Sequence, residues 1–206
     1  QYTSSAASDV YKRQILGLPN LLNYNFKSLR TGAIGASPCP KEVMKKIINI
    51  LNIKEITIVY GMTETSPISF QTNIGDDVDL QVSTVGNINP HIEAKVIDSN
   101  KNFILDRGKP GELCIKGYSV MKEYWKNKTE TKKAIDKDGW MHTGDLVLMR
   151  DDGYLEIVGR IKDTIIKGGE NIYPREVEEF LIKIEQIEQA YVCLLYTSPS
   201  PRDMPR

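Results

Sequence analysis

PKEVMKKIINILNIKEITIVYG, residues 40–61, sets the layer type of the fold. Pro40 suits a first helical position, where a backbone N–H would have no partner anyway. Val43, Met44, Ile47, Ile48 and Leu51 then fall on one stripe at the helical period, which predicts an amphipathic helix over residues 40–51. EITIVY, residues 55–60, is a short β-rich run that stops at Gly61. It is expected to pack under that helix. A helix feeding directly into a buried strand is an element of an α/β layer.

Downstream the pattern changes to short strands. IEAKVID (92–98), GELCIKG (111–117), DLVLM (145–149) and YLEIV (154–158) are the candidates. Asp151-Asp152-Gly153 supplies a turn that should pair the last two as a hairpin. KNKTETKKAI (126–135) reads as one short helix among them. TIIKGGENI offers a further tight turn at Gly168-Gly169, and Pro174 opens a helix with Val177, Phe180, Leu181 and Ile184 on one face. The expected domain boundary is Gly159-Arg160. No internal repeat is visible.

Composition narrows the classes. The 206 residues carry 27 Lys+Arg against 27 Asp+Glu, which excludes a strongly basic nucleic-acid binder and an acidic disordered tail. No apolar run approaches the ~20 residues of a membrane-spanning helix. Cys39, Cys114 and Cys193 are widely spaced with no C-x-x-C pair, and no apolar signal-peptide core is visible. These features point to a reducing, cytoplasmic setting.

The ends read differently from the middle. Residues 1–14 and 193–206 lack either apolar period, and both contain Tyr-Thr-Ser, at 2–4 and 196–198. We read them as non-native, adaptor-like sequence; the alternative is a pair of natural disordered termini. Sequencing the parent locus separates the two.

Four segments carry more polar and glycine detail than folding demands. TGAIGASPCP (31–40) leaves Gly35, Ala36 and Ser37 with almost no side chain, so a flat ring or a phosphate can approach the backbone. It matches neither the P-loop spacing nor a dinucleotide fingerprint. YGMTETSP (60–67) follows a strand and offers the Tyr60 ring, the Thr63 hydroxyl and Glu64, a hard oxygen ligand suited to magnesium. In GWMHTGDL (139–146), Asp145 can accept hydrogen bonds from both hydroxyls of a ribose. In GRIKDTIIKGGENIYP (159–174), Arg160 can bind ribose or phosphate, and Gly168-Gly169 can let a ligand pass close to the backbone. Each has a plainer reading as an ordinary turn or hairpin with surface charges.

In this order the segments resemble one family. YGMTE, GELCIKG, WMHTGDL and GRIKDTIIKGGENIYPREVEE look like the adenylate-forming enzymes, which include acyl-CoA synthetases, firefly luciferase and peptide-synthetase adenylation domains. The resemblance runs over about residues 15–192. LRTGAIGASPCP, STVG with HIEAKVID, and GGENIYPREVEEFL are most similar to fatty acyl-CoA synthetases of the acyl-CoA synthetase family member 2 type. Glu123-Tyr124-Trp125 departs from the family's usual Gly before Tyr-Trp.

The resemblance implies an incomplete α/β fold. Residues 15–159 would form the end of a large AMP-binding domain, with an α/β layer and a β-rich subdomain. Residues 160–192 would form the start of a small α+β domain. It implies an acid–thiol ligase that converts a fatty acid and ATP to an acyl-adenylate and pyrophosphate, then transfers the acyl group to coenzyme A. Gly35, Ala36 and Ser37 would line the adenine, with Tyr60 stacked on it and Gly61 and Met62 beside it. Thr63 would touch the α-phosphate and Glu64 would bind Mg²⁺. Asp145 and Arg160 would hold the ribose, Lys162 would be the hinge, and Gly168 and Gly169 would flank the pantetheine path. The family's Ser/Thr/Gly-rich phosphate loop and its later Gly-Lys lysine match nothing here, so an internal fragment is expected. Cutting an α/β sheet exposes apolar faces and strand edges, so weak stability or aggregation is expected too. Two other readings stay open: a fragment of an aryl- or amino-acid-activating enzyme, and a non-catalytic nucleotide-binding module.

Overall fold

The computed structural model describes residues 14–35, 39, 41–99, 101–168, 170–182, 184, 186–187 and 190–193. Strand β1 (Thr31–Gly35), helix α1 (Lys41–Ile50) and strand β2 (Glu55–Tyr60) form a parallel crossover unit. The register runs from Thr31 opposite Glu55 to Gly35 opposite Val59. Burial of one helix stripe drives this packing: Met44 and Ile47 share a core with Ile34, Ile56 and Ile58. The expected helix-on-strand element is therefore present. Residues 31–35, read as part of a glycine-rich turn, are instead β1; small residues there let two strand backbones lie close together.

The sheet continues antiparallel through β3 (Phe70–Gln71) and β4 (Asn87–Ile88). Between them lies α2 (Val78–Ser83), too short to show a period in the sequence. Asp77 caps it by accepting the Asp79 amide at 2.7 Å, and buried Gln81 donates to the Ile56 carbonyl at 3.0 Å.

A second, wholly antiparallel sheet has the order β5 (Ile92–Ile97), β6 (Pro110–Gly117), β7 (Met141–Met149) and β8 (Leu155–Arg160). Its core holds Val96, Leu113, Ile115, Val147 and Leu155. Phe70 joins that core from β3, fully buried, and so locks the two sheets together.

Strand β7 begins at Met141, four residues before the expected start at Asp145. Thr143-Gly144 looks like a turn in sequence but forms a bulge within the strand. Cys114 opposes His142, whereas Glu112 opposes Leu146, so β7 carries two extra residues there. Side chains replace the missing ladder bonds. Thr143 Oγ1 donates to the Leu113 carbonyl at 2.8 Å, and the Gly144 amide donates to Glu112 Oε1 at 3.3 Å. A second slip, against β8, falls between Leu146 and Val147.

The β7–β8 hairpin turns through 150–154 as expected, closed by the Arg150 amide on the Tyr154 carbonyl at 2.9 Å. β8 runs through the expected boundary at Gly159 without a break and ends at Arg160, where Ile161–Asp163 make one 3-10 turn. Next come the hairpin of β9 (Ile165–Lys167) and β10 (Glu170–Ile172), with Gly168 in its turn, and α4 (Pro174–Ile182). The short helix expected near 126–135 is α3 (Lys128–Ala134), capped by Asn127.

The apolar stripe expected on α4 is not a core stripe in this chain. No α4 residue is buried, Val177 and Leu181 are half-buried, and Phe180 is 67% exposed. Leu22 and Trp125 are similarly exposed. None of the three cysteines forms a disulfide. Among the described residues no helix is long and apolar enough to cross a membrane.

Candidate functional site

Tyr60 ends β2, and the chain then turns sharply through Gly61 and Met62 into the 3-10 turn Thr63–Thr65. A Cβ on Gly61 would stand 1.8 Å from the Pro67 carbonyl oxygen, so any side chain would force the loop open. Thr65, fully buried and not singled out from sequence, ties this loop together. Its hydroxyl donates to the Met62 carbonyl and accepts from the Met62 amide, both at 3.2 Å.

The turn presents Tyr60 to a residue 85 positions away. Its hydroxyl donates to Asp145 Oδ2 at 2.6 Å, while Arg160 Nε stands 3.2 Å from Asp145 Oδ1. The Tyr60 ring meets Phe70 edge-on, with centroids 6.2 Å apart. Asp145 is buried in β7, paired in register with Arg160 on β8. Sheet pairing thus supplies the ion pair, and the end of the neighbouring sheet supplies the phenol.

Burial, then the neighbouring Asp145 carboxylate, hold the Tyr60 phenol well above the ordinary tyrosine value. The native state therefore keeps a proton that the unfolded chain loses above about pH 10. This group's contribution is present below that pH and declines above it. Tyr60→Phe should soften the alkaline fall in Tm above about pH 10. At neutral pH it should cost about 1.5–3 kcal/mol, the range for a hydrogen bond to a charged group. Thermal melts across pH check both.

Tyr60, Gly61, Met62, Asp145, Arg160 and Lys162 line one cavity of about 750 Å³. Arg175 and Glu178 of α4 line it too; both fall in the PREVEE end of the segment that carries the resemblance, where neither was assigned a site role. Gly35, Thr63, Glu64 and Gly168 do not line it. A Cβ on Gly35 would meet the Val59 side chain at 2.7 Å, so its small size serves β1–β2 pairing. Ala36, Ser37 and Gly169 lie outside the described residues.

Glu64 stands apart, on the turn. Its Oε1 accepts the Tyr124 hydroxyl at 2.9 Å, and its carbonyl accepts the Met121 amide at 2.8 Å. Burial and the Glu64 carboxylate hold the Tyr124 phenol above its ordinary value. Glu64 Oε2 has no hydrogen-bond partner among the described residues, so the pair leaves one hard oxygen for a cation. His142 lies outside the cavity, with its Nδ1 3.1 Å from Glu112 Oε2 and 3.7 Å from Cys114 Sγ. Burial, then Glu112, push the Cys114 thiol up to about 12.

Comparisons with known proteins identify relatives of this chain. YngI of Bacillus subtilis is 51% identical over 163 residues, covering 79% of this chain and 30% of YngI. The mitochondrial medium-chain acyl-CoA ligase ACSF2 of Danio rerio is 47% identical over 178 residues, covering 86% and 29%. The chain thus spans about a third or less of the length of these curated relatives. ATP-bound MatB from Rhodopseudomonas palustris superposes with a TM-score of 0.79 at 29% identity, over 89% of this chain and 36% of that one. The AMP-binding enzyme family matches residues 5–125, a span that begins inside the amino-terminal segment set aside above. With more than half its length matched, the chain belongs to the AMP-binding enzyme family.

Proposed function

We propose that this chain is part of an ATP-dependent fatty acid–CoA ligase, with its cavity as the AMP end of the active site. The observation that carries the reading is the joint presentation of Tyr60, Asp145 and Arg160 on one cavity wall. A buried carboxylate flanked by a phenol and a guanidinium suits a vicinal diol, which needs an acceptor for its two O–H groups. The Tyr60 ring beside the diol site gives a base a surface to stack on. The ATP-bound MatB structure supports the nucleotide, and the name of the zebrafish relative supports a medium-chain acyl substrate.

In this reading Asp145 accepts both ribose hydroxyls and Arg160, 3.2 Å away, orients the carboxylate. Thr63 hydrogen-bonds the α-phosphate. Glu64, steadied by Tyr124, would hold Mg²⁺, which supplies charge neutralisation at the phosphates during attack by the fatty acid carboxylate. Lys162, in the single turn after β8, is the pivot between adenylate formation and thioester formation. Gly168, with Gly169, borders the path of the coenzyme A arm. We assign residues 160–192 to the small domain and 15–159 to the large one, and residues 1–14 and 193–206 to adaptor-like sequence.

The test is a panel of aliphatic, aryl and amino acids given to the complete protein with MgATP and coenzyme A. Medium-chain aliphatic acids should give the highest kcat/KM for thioester formation. Turnover confined to aryl or amino acids would replace the fatty-acyl reading, and nucleotide binding without turnover of any acid would leave only a binding module.

A further inference from the structure

We propose that Glu112, Cys114 and His142 form a binding site for a borderline divalent cation such as Zn²⁺, separate from the nucleotide cavity. All three side chains project from one face of the second sheet. Glu112 and Cys114 are two apart on β6, and His142 lies opposite Cys114 on β7. Their ligand atoms lie within 4.8 Å of one another, and this is the one such His/Cys/carboxylate group among the described residues.

The spacing suits a shared ion better than a chain of hydrogen bonds. His142 Nδ1 is 3.7 Å from the Cys114 sulfur and 3.1 Å from Glu112 Oε2. One ring nitrogen carries at most one proton or one lone pair, so it cannot serve both neighbours by hydrogen bonding at once. Tetrahedral zinc with Zn–S near ~2.3 Å and Zn–N or Zn–O near ~2.0–2.2 Å has ligand–ligand edges of about 3.3–3.6 Å. These two edges bracket that range and the third lies within 4.8 Å, so a small rotation of the side chains brings three ligands onto one ion, and water can supply the fourth.

The surroundings are arranged for it. Asp136 Oδ2 stands 3.9 Å from His142 Nε2 and adds a second carboxylate near the cluster. Glu112 Oε1 is already held by the Gly144 amide, which fixes the carboxylate with Oε2 toward the cluster. Lys95, opposite Cys114 on β5, is a cationic neighbour that opposes a bound cation, and its ammonium is drawn toward the Trp140 ring, 4.2 Å from the ring centre. Binding replaces the S–H bond by a metal–sulfur bond and releases one proton to solvent, and nothing is oxidised. His142 is 25% exposed and Glu112 13%, which leaves an entry for the ion while Cys114 stays fully buried.

Cobalt(II), titrated into the purified chain without a histidine tag, tests this directly. One Co²⁺ per chain should bind with an intense near-ultraviolet thiolate charge-transfer band and visible bands of tetrahedral strength, and Zn²⁺ should displace it. Cys114→Ser should remove the charge-transfer band, His142→Ala should weaken binding at least tenfold, and Cys193→Ser should change nothing. Should Cys114→Ser fail to fold by circular dichroism, His142→Ala and Glu112→Gln decide, because both positions are partly exposed. Absence of the thiolate band in the parent chain overturns the site, as do bands that survive both His142→Ala and Glu112→Gln. Neither result bears on the nucleotide reading, since these residues lie outside that cavity.

Discussion

Asp145→Ala in the complete protein should lower kcat/KM for ATP by about 10²–10⁴-fold, through loss of two hydrogen bonds to a charged acceptor at about 1.5–3 kcal/mol each. The KM for the acid should change far less, because the acid does not touch this carboxylate in the proposed arrangement. Two side chains lose their partner at once: the Tyr60 hydroxyl at 2.6 Å and the Arg160 guanidinium at 3.2 Å. Stranding partly buried polar groups in this way should also cost about 1–3 kcal/mol of stability. Asp145→Asn keeps one acceptor and the shape, so its defect should be smaller in both respects. Measurement of ATP kinetics beside a thermal melt separates the two effects. An alanine variant that folds and keeps its ATP kinetics would remove Asp145 from the nucleotide site.

A polypeptide of these 206 residues should show no acyl-adenylate formation. In the proposed arrangement the residues present would hold a base, a ribose and one metal ion, but nothing among them matches the phosphate-binding loop or the Gly-Lys lysine that the resemblance calls for. Electrostatic stabilisation of the transferring phosphoryl group is commonly the largest catalytic contribution, so a site lacking those donors should fall to background. Pyrophosphate release from MgATP and a medium-chain acid is the measurement. Activity above background that Glu64→Ala abolishes would refute the prediction.

Much of the fold was legible in the sequence because local patterns and burial agree. Residues 40–60 announce a helix on a strand, and Met44 and Ile47 are buried against Ile56 and Ile58 as that pattern requires. The same reasoning failed where one signal served two purposes. Gly32 and Gly35 look like a ligand loop but allow β1 to approach β2. Thr143-Gly144 looks like a turn ahead of a strand but is a bulge inside one, where the Gly144 and Asp145 amides bond to side chains. The α4 stripe was legible as a helix face, yet sequence cannot say whether a partner surface lies over it.

The site was legible as a set of parts and not as an assembly. Tyr60, Asp145 and Arg160 each have an ordinary explanation alone. Only the packing of the end of β2 against the β7–β8 pair brings them together. Arg175 and Glu178 stand in the segment that carries the resemblance, but a surface helix with mixed charge is common and nothing local marks them as facing a cavity. Tyr124 lies beside the Glu123 departure noted in the sequence, and only the fold shows that its phenol donates to Glu64.

Two register slips meet at Asp145: β7 carries two extra residues between His142 and Leu146, against β6, and β8 carries one, Val158, opposite the Leu146–Val147 step. A strand whose ladder is interrupted toward both neighbours within a few residues behaves as a joint in an otherwise stiff beam. Asp145, proposed above to face the ribose, sits in that joint, where the backbone is set by side-chain hydrogen bonds as well as by the ladder. The buried strands around it are pinned by Leu113, Val147 and Leu155.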